Sequence, residues 1–268
     1  MSQNLVLRVV SACILIPVVV GFVYLGGWYL GLLMAIVAVL AINEWDVLCG
    51  GRGLRAVSAW LQAVILVLTA FFACADLLPL ALLCIVAGIS AIFLLGSIIN
   101  IKTTWTIIGI VYLALPLLSL IWIREGTIEG FKSLIWLMGV VWATDIGAIL
   151  VGRLMGGPRL LSRISPSKTW SGAFGGILFA VIVGIVMAFL YGNTTLVFLV
   201  LLSTSVSIVA QIGDFAESAV KRRYGVKDSG WLIPGHGGVL DRIDSMVLVL
   251  PVAAFVMLIN GGSLFYWR

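Results

Sequence analysis

At 268 residues, with 62% of them hydrophobic, 10% charged and a mean hydropathy of +1.23, the chain is far more apolar than a water-soluble domain. The composition is that of an integral membrane protein. A net charge of +5 would suit nucleic acid, but a basic cytoplasmic face is the ordinary condition of membrane proteins and also suits anionic lipid, so no nucleic-acid partner is expected.

A spanning helix needs about 20 mostly apolar residues. In chain order the runs that qualify lie near residues 5–25, 28–42, 56–74, 77–99, 105–123, 133–152, 171–191, 196–214 and 245–260, the second and ninth being short. The first, with Arg8 ahead of its apolar stretch, has the look of a secretory signal, but no small-residue cleavage site follows and it reads as a retained helix. Four cysteines, Cys13, Cys49, Cys74 and Cys84, form no CxxC pair and read as free thiols. The sixth run contains Asp145, in VVWATDIGAILVGR, where a carboxylate is costly and is a functional candidate by default. Between the sixth and seventh runs RISPSKTWSGAFGG, residues 163–176, is a turn followed by glycines; Ser165, Pro166 and Ser167 read as a helix start, and Lys168 is the interesting member.

Counting Lys and Arg on alternate sides of nine spans puts thirteen of the sixteen on one side, with Arg124, Lys132 and Arg268 on the other. By the positive-inside rule the N-terminus and the long polar loops are cytoplasmic and the C-terminus lies outside. The expected fold is an all-α polytopic membrane protein of about nine transmembrane helices, with the active site at the cytoplasmic face. Residues 1–130 read as membrane helices forming scaffold or dimer surface, and 131–268 as the helices and loops that carry the site.

More than a third of the charged residues fall between Asp214 and Asp244. If the eighth helix continues outward, Asp214, Glu217, Ser218 and Lys221 share one face at i, i+3, i+4 and i+7. Such a face is either a solvated helix end with an internal ion pair or the beginning of a site for a hard cation and phosphate. Lys221, Arg222, Arg223 and Lys227 follow, then LIPGHGG, whose glycines let backbone N–H groups approach an anion. That loop holds His236, the only histidine, which lacks a second imidazole for zinc and is better placed to orient a phosphate or carboxylate than to act alone. Asp241, Arg242 and Asp244 lead into the ninth span; aspartates at i and i+3 serve equally for capping a helix or for ligating a cation.

Taken together, Ser218, Lys221, Arg222, Lys227, Asp228, Ile233, Pro234, His236, Gly237, Gly238, Asp241, Arg242, Ile243 and Asp244 match every defined position of a known signature. The segment resembles that of the phosphatidate cytidylyltransferases, also called CDP-diacylglycerol synthases. TDIGAILVGR around Asp145 and SPSKTWSG around Lys168 resemble two further blocks of that family, although many members have glutamate where this chain has Ser171. The resemblance covers roughly the C-terminal half. It implies transfer from CTP to phosphatidic acid with release of pyrophosphate, dependence on Mg2+ with room for a second cation such as K+, and a homodimer in the cell inner (cytoplasmic) membrane.

Under that resemblance Asp214, Asp241 and Asp244 are expected to hold magnesium, with Ser218 able to add a hydroxyl. Lys221, Asp228, His236, Asp241, Arg242 and Asp244 are the expected catalytic set; Asp145, Lys168, Ser218, Arg222 and Lys227 are expected to bind substrate. Glu217, Asp145 and Asp228 remain open between supporting the site and recognising the base. Two rivals remain: a CTP transferase acting on an isoprenoid glycerol phosphate, as in archaea, and a polytopic transporter with Asp145 as its ion site. The pattern DG-x2-AR of CDP-alcohol phosphotransferases is absent, and no repeated halves support transport.

Overall fold

The structure is a computed structural model and describes residues 3–96, 103–126, 129–191, 196–233, 237–262 and 264. Among the described residues the chain forms nine α-helices: α1 Gln3–Leu25, α2 Gly27–Leu48, α3 Val57–Cys74, α4 Leu78–Leu95, α5 Thr103–Glu125, α6 Gly130–Met155, α7 Trp170–Tyr191, α8 Leu196–Arg223 and α9 Leu240–Ile259. Seven are long and apolar enough to cross a membrane, and α1 and α4 contribute the shorter apolar stretches Val10–Leu25 and Leu78–Leu94. The expected all-α polytopic architecture is therefore present. In hydrocarbon a backbone must satisfy its own polar groups, and a helix does so within one segment. Pro17, Pro116 and Pro251 each remove one donor from the helical hydrogen-bond ladder, yet α1, α5 and α9 run on through them.

Three helices outrun the apolar stretches that announce them. Helix α2 continues through Asn43, Glu44, Trp45 and Asp46 because that polar end is buried rather than solvated; Glu44, Trp45 and Asp46 are all buried. Helix α8 runs nine residues past Asp214, so the shared face of Asp214, Glu217, Ser218 and Lys221 is real. Helix α9 begins at Leu240 and takes Asp241 and Asp244 into its first turns.

By its contacts the chain divides into two compact units, Met1–Glu125 with Arg223–Ile243, and Gly126–Arg222 with Asp244–Arg268. In the first, α3 packs against α2, α4 and α5, and α1 leans on α2. The fully buried Trp45 anchors this core: its ring stacks on Tyr112 at 5.0 Å and its Nε1 donates to the Trp105 carbonyl at 2.9 Å. Arg124 closes the far end of the unit, donating from Nε to Val23 O (2.6 Å) and from Nη2 to Tyr24 O (2.8 Å), while Glu125 accepts from Gly27 N (2.7 Å). The last carbonyls of α1 thus meet a cation and the first amide of α2 meets an anion, as the open ends of helices favour.

In the second unit α6 and α7 pack closely along small residues, the usual means of bringing helices together in lipid. A Cβ on Gly147 would lie 2.6 Å from the Gly175 carbonyl oxygen, so only glycine fits there. Helix α8 is joined to α6 by a hydrogen bond between Thr144 Oγ1 and Ser207 Oγ (2.9 Å) and to α7 by Gln211 Nε2 donating to Ala173 O (3.3 Å).

One local expectation is corrected. Ser165–Thr169 is not a helix start but a strand, β2, paired antiparallel with β1, Arg159–Leu161. The helix begins at Trp170, with Thr169 Oγ1 accepting from Gly172 N (3.1 Å) as its cap. A hydroxyl caps the helix, as expected, but it is the one directly before the first apolar turn rather than those two and four residues earlier.

Candidate active site

In the second unit the hairpin β1–β2 carries Lys168 to the outer half of α8. Its ammonium pairs with the Asp214 carboxylate and lies 4.3 Å from the centre of the Phe215 ring. Ser218, one turn on, points its hydroxyl at the other Asp214 oxygen at 3.5 Å. Ser171, where the resemblance leads one to expect an acid, instead donates to the Gly156 carbonyl and shares a 2.9 Å contact with Thr169 Oγ1, tying the hairpin to the end of α6.

Further along α8, Lys221 donates to Glu217 Oε2 at 3.0 Å, and both side chains are buried. The charged helix face therefore splits into a half-buried pair at Asp214 and a buried pair at Glu217. Arg222 is exposed and donates from Nε to Ile164 O in the hairpin turn at 3.1 Å. Helices α8 and α9 pack closely at Gly213, where an added Cβ would lie 2.8 Å from the Asp244 carbonyl oxygen. Asp214 and Asp244 thus flank one crossing, and Asp244 Oδ1 accepts from Ser245 N at 2.7 Å. Asp145 is exposed on α6.

The first unit holds the remaining signature residues that are described. Lys227, Asp228 and Arg242 are exposed; His236, with Pro234 and Gly235, lies outside the described residues. Asp241 is buried, and its carboxylate receives Ser229 N (3.0 Å to Oδ2, 3.2 Å to Oδ1) and Gly238 N (2.8 Å). This carboxylate clasps both ends of the loop it follows, which closes through a bridge between Ile233 and Gly237.

Two acidic residues absent from the sequence reading stand in the same unit. Glu44 receives Val239 N, Leu240 N and Ser229 Oγ at 3.0, 2.9 and 3.2 Å. Asp46 receives Gly53 N at 2.9 Å and Ser58 Oγ at 3.0 Å, shaping the turn after α2. The available signal was a pair of carboxylates around Trp45 at the end of an apolar run, where an unsatisfied charge is expensive. Beside that turn a cavity of about 400 Å³ is lined by Trp45, Asp46, Arg52, Arg55, Ser58 and Gln62, and its two exposed arginines form no ion pair among the described residues. Nearby, Arg223 stacks its guanidinium 5.4 Å from the Trp105 ring centre, and Trp105 also meets Tyr224 edge-on. Desolvation pushes the Tyr224 phenol above its ordinary range, with the Cys49 thiol adding to the shift, so it stays neutral near pH 7.

Chemically, the oxygen donors of Asp214 and Ser218 in the second unit suit a hard cation, and the exposed cations of each unit, Arg222 in one and Lys227 and Arg242 in the other, suit phosphate. A sequence profile of the cytidylyltransferase family matches residues 6–260, nearly the entire chain. The chain belongs to that family. Among similar proteins, the phosphatidate cytidylyltransferase of Brucella suis biovar 1 is 36% identical over 265 residues, covering 98% of this chain and 95% of that one. The protein of the same name from Staphylococcus epidermidis is 45% identical over 135 residues, 50% of this chain and 52% of its own length. That from Rickettsia bellii is 36% identical over 159 residues, covering 57% and 68%. The likeness extends well beyond the C-terminal half that carries the motifs, so for this cytidylyltransferase the N-terminal helices are as much a part of the family pattern as the charged loop.

Proposed function

We propose that the protein is a phosphatidate cytidylyltransferase, joining CTP and phosphatidic acid into CDP-diacylglycerol and pyrophosphate in the membrane. One observation carries this reading: the signature from Ser218 to Asp244 is complete, in a chain alike over nearly its full length to proteins named for that activity.

The chemistry matches the residues. An oxygen of the phosphatidate phosphate attacks the α-phosphorus of CTP; that P–O bond forms as the bond to the β-phosphate oxygen breaks, and pyrophosphate leaves with the electron pair. A phosphate monoester has its second pKa at about 6, so near neutral pH the nucleophile is already the dianion and needs no strong base. The work left to the protein is to bring two polyanions together and to stabilise charge on the leaving group. Lys168, Arg222, Lys227 and Arg242, with the Lys221–Glu217 pair beside them in sequence, are the proposed phosphate-binding groups. Asp145, Asp228 and His236 are proposed to orient substrate.

For the metal, no three His, Cys, Asp or Glu side chains converge among the described residues; Asp214 and Ser218 share one face of α8, the Asp244 backbone lies against α8 at Gly213, and these three are the oxygen donors proposed for the cation. That donor set fits magnesium, which takes one or two carboxylates and completes its shell with water and substrate phosphates. Bound there, magnesium supplies charge neutralisation of the triphosphate and the departing pyrophosphate. The signature adds Asp241 to the proposed metal set, and a second cation such as K+ belongs to the same proposal.

We place the N-terminus and the charged loops on the cytoplasmic side of the cell membrane, where CTP is found, and take a homodimer as the working assembly. The reading is tested by incubating the purified protein with labelled CTP and dioleoyl phosphatidic acid in detergent and extracting the lipid. Label in an organic-phase CDP-lipid, with ATP and UTP far poorer donors, is the expected result. Label only on an isoprenoid glycerol phosphate would replace phosphatidic acid by the archaeal-type lipid, and label on neither would overturn the reading.

A further inference from the structure

Glu44 is a carboxylate in an apolar helix, 6% exposed, and among the described residues it has no cation beside it. A buried charge without a counter-ion persists only where fixed dipoles replace its water. Those dipoles come from a single place: the amides of Val239 and Leu240, which are the open N-terminal donors of α9, and the Ser229 hydroxyl. Backbone crowds in from both sides, since a Cβ on Gly238 would lie 2.4 Å from Glu44 Oε2 and one on Gly230 2.7 Å from Oε1. Asp241 takes the remaining amides, Ser229 N and Gly238 N. Two carboxylates thus grip the same two loop ends, one from within the signature and one from a helix about 190 residues earlier in the chain.

We propose that Glu44 is a positioning residue for the transfer reaction: its carboxylate fixes the loop that carries Asp228 and the start of α9 that carries Asp241 and Arg242. The proposal rests on the cytidylyltransferase reading above. It touches neither substrate nor metal; it acts by setting where the signature residues stand. Gly230 and Gly238 then have a common purpose, because the absence of a side chain at each lets the backbone close on Glu44, while Ser229 supplies a hydroxyl.

The test is Glu44→Gln in the full-length protein. Glutamine matches the shape but turns one acceptor into an N–H2 donor facing donors. Two readouts are taken in detergent: amide hydrogen exchange of the peptide covering residues 229–242, and steady-state kinetics with CTP and phosphatidic acid at saturating magnesium. We expect exchange in that peptide to quicken at least tenfold while peptides of α3 and α5 keep their protection. The kcat should fall at least thirtyfold with the CTP KM changed less than threefold. Unchanged exchange, or a kcat within threefold of the parent, overturns the proposal. Should Glu44→Gln fail to fold, Glu44→Asp, which keeps the charge but withdraws it by one methylene, and Ser229→Ala give the same two readings. A parent protein that makes no CDP-lipid would instead sink the functional reading, an outcome told apart because it appears before any variant is compared.

Discussion

Asp214 stands where a cation-binding role and an ordinary ion pair look alike: Lys168 neutralises it and Ser218 reaches toward its second oxygen. The two roles separate on substitution. Asp214→Asn, nearly the same shape, should lower turnover by at least a hundredfold and abolish the response to added magnesium, measured by pyrophosphate release across a magnesium titration. Intact turnover with the usual magnesium dependence would remove Asp214 from the metal site. Lys168→Ala should lower kcat/KM for CTP at least tenfold with the protein still folded, since a half-exposed pair adds little to stability. At this scale the sequence was informative about residue type and weaker about employment. It placed Asp214, Ser218 and Lys221 on one face, but a face does not say that Lys221 turns to the buried Glu217 while a lysine 46 residues upstream comes to Asp214. Glu44 showed only as a carboxylate at the end of an apolar run; its partners are two backbone amides and a serine hydroxyl, and amides leave no mark in a residue pattern.

Elements were legible where hydropathy alone sets them. Each apolar run found by length became one helix, because a 20-residue apolar stretch has few other ways to satisfy its backbone in lipid. The ends were not, because helices stop where capping and burial say so: α2 extends through Asp46 into buried surroundings, and α7 waits for Thr169. The glycines of α6 and α7 make a prediction at this scale. Gly147→Val would drive side-chain atoms into the Gly175 carbonyl region, and overpacking of this kind costs about 1–3 kcal/mol. The variant should melt lower in detergent, read by tryptophan fluorescence, and it should lose the hairpin's grip on Lys168 with it; an unchanged melting temperature would mean that α6 and α7 do not pack through this seam. A valine at Gly156, where the added Cβ meets nothing within 4 Å but φ is +60°, should cost backbone strain without parting those helices.

Over the whole molecule, charge is sparse and clustered. Apart from Asp145 within α6 and the charged face of α8 from Asp214 to Lys221, most charged groups sit near helix ends and in connecting segments, among them the hairpin at residues 159–169, the signature loop at 223–243 and a basic turn at Arg52 and Arg55. If these are cytoplasmic, a cysteine placed at Trp231, which is 95% exposed, should react with a membrane-impermeant maleimide in inside-out vesicles and not in intact cells. Labelling from outside only would invert the topology and leave CTP on the wrong side of the protein. Basic residues in these segments are the kind of group that a transfer between phosphate-bearing substrates requires.

The most direct measurement is pyrophosphate release by the purified protein in detergent, given CTP, dioleoyl phosphatidic acid and magnesium, run beside Asp214→Asn. Release that requires both the nucleotide and the lipid, equals the CDP-lipid formed, and disappears with EDTA and in the variant is the predicted result. Release without lipid, or none from a demonstrably folded protein offered either phosphatidic acid or an isoprenoid glycerol phosphate, would contradict it.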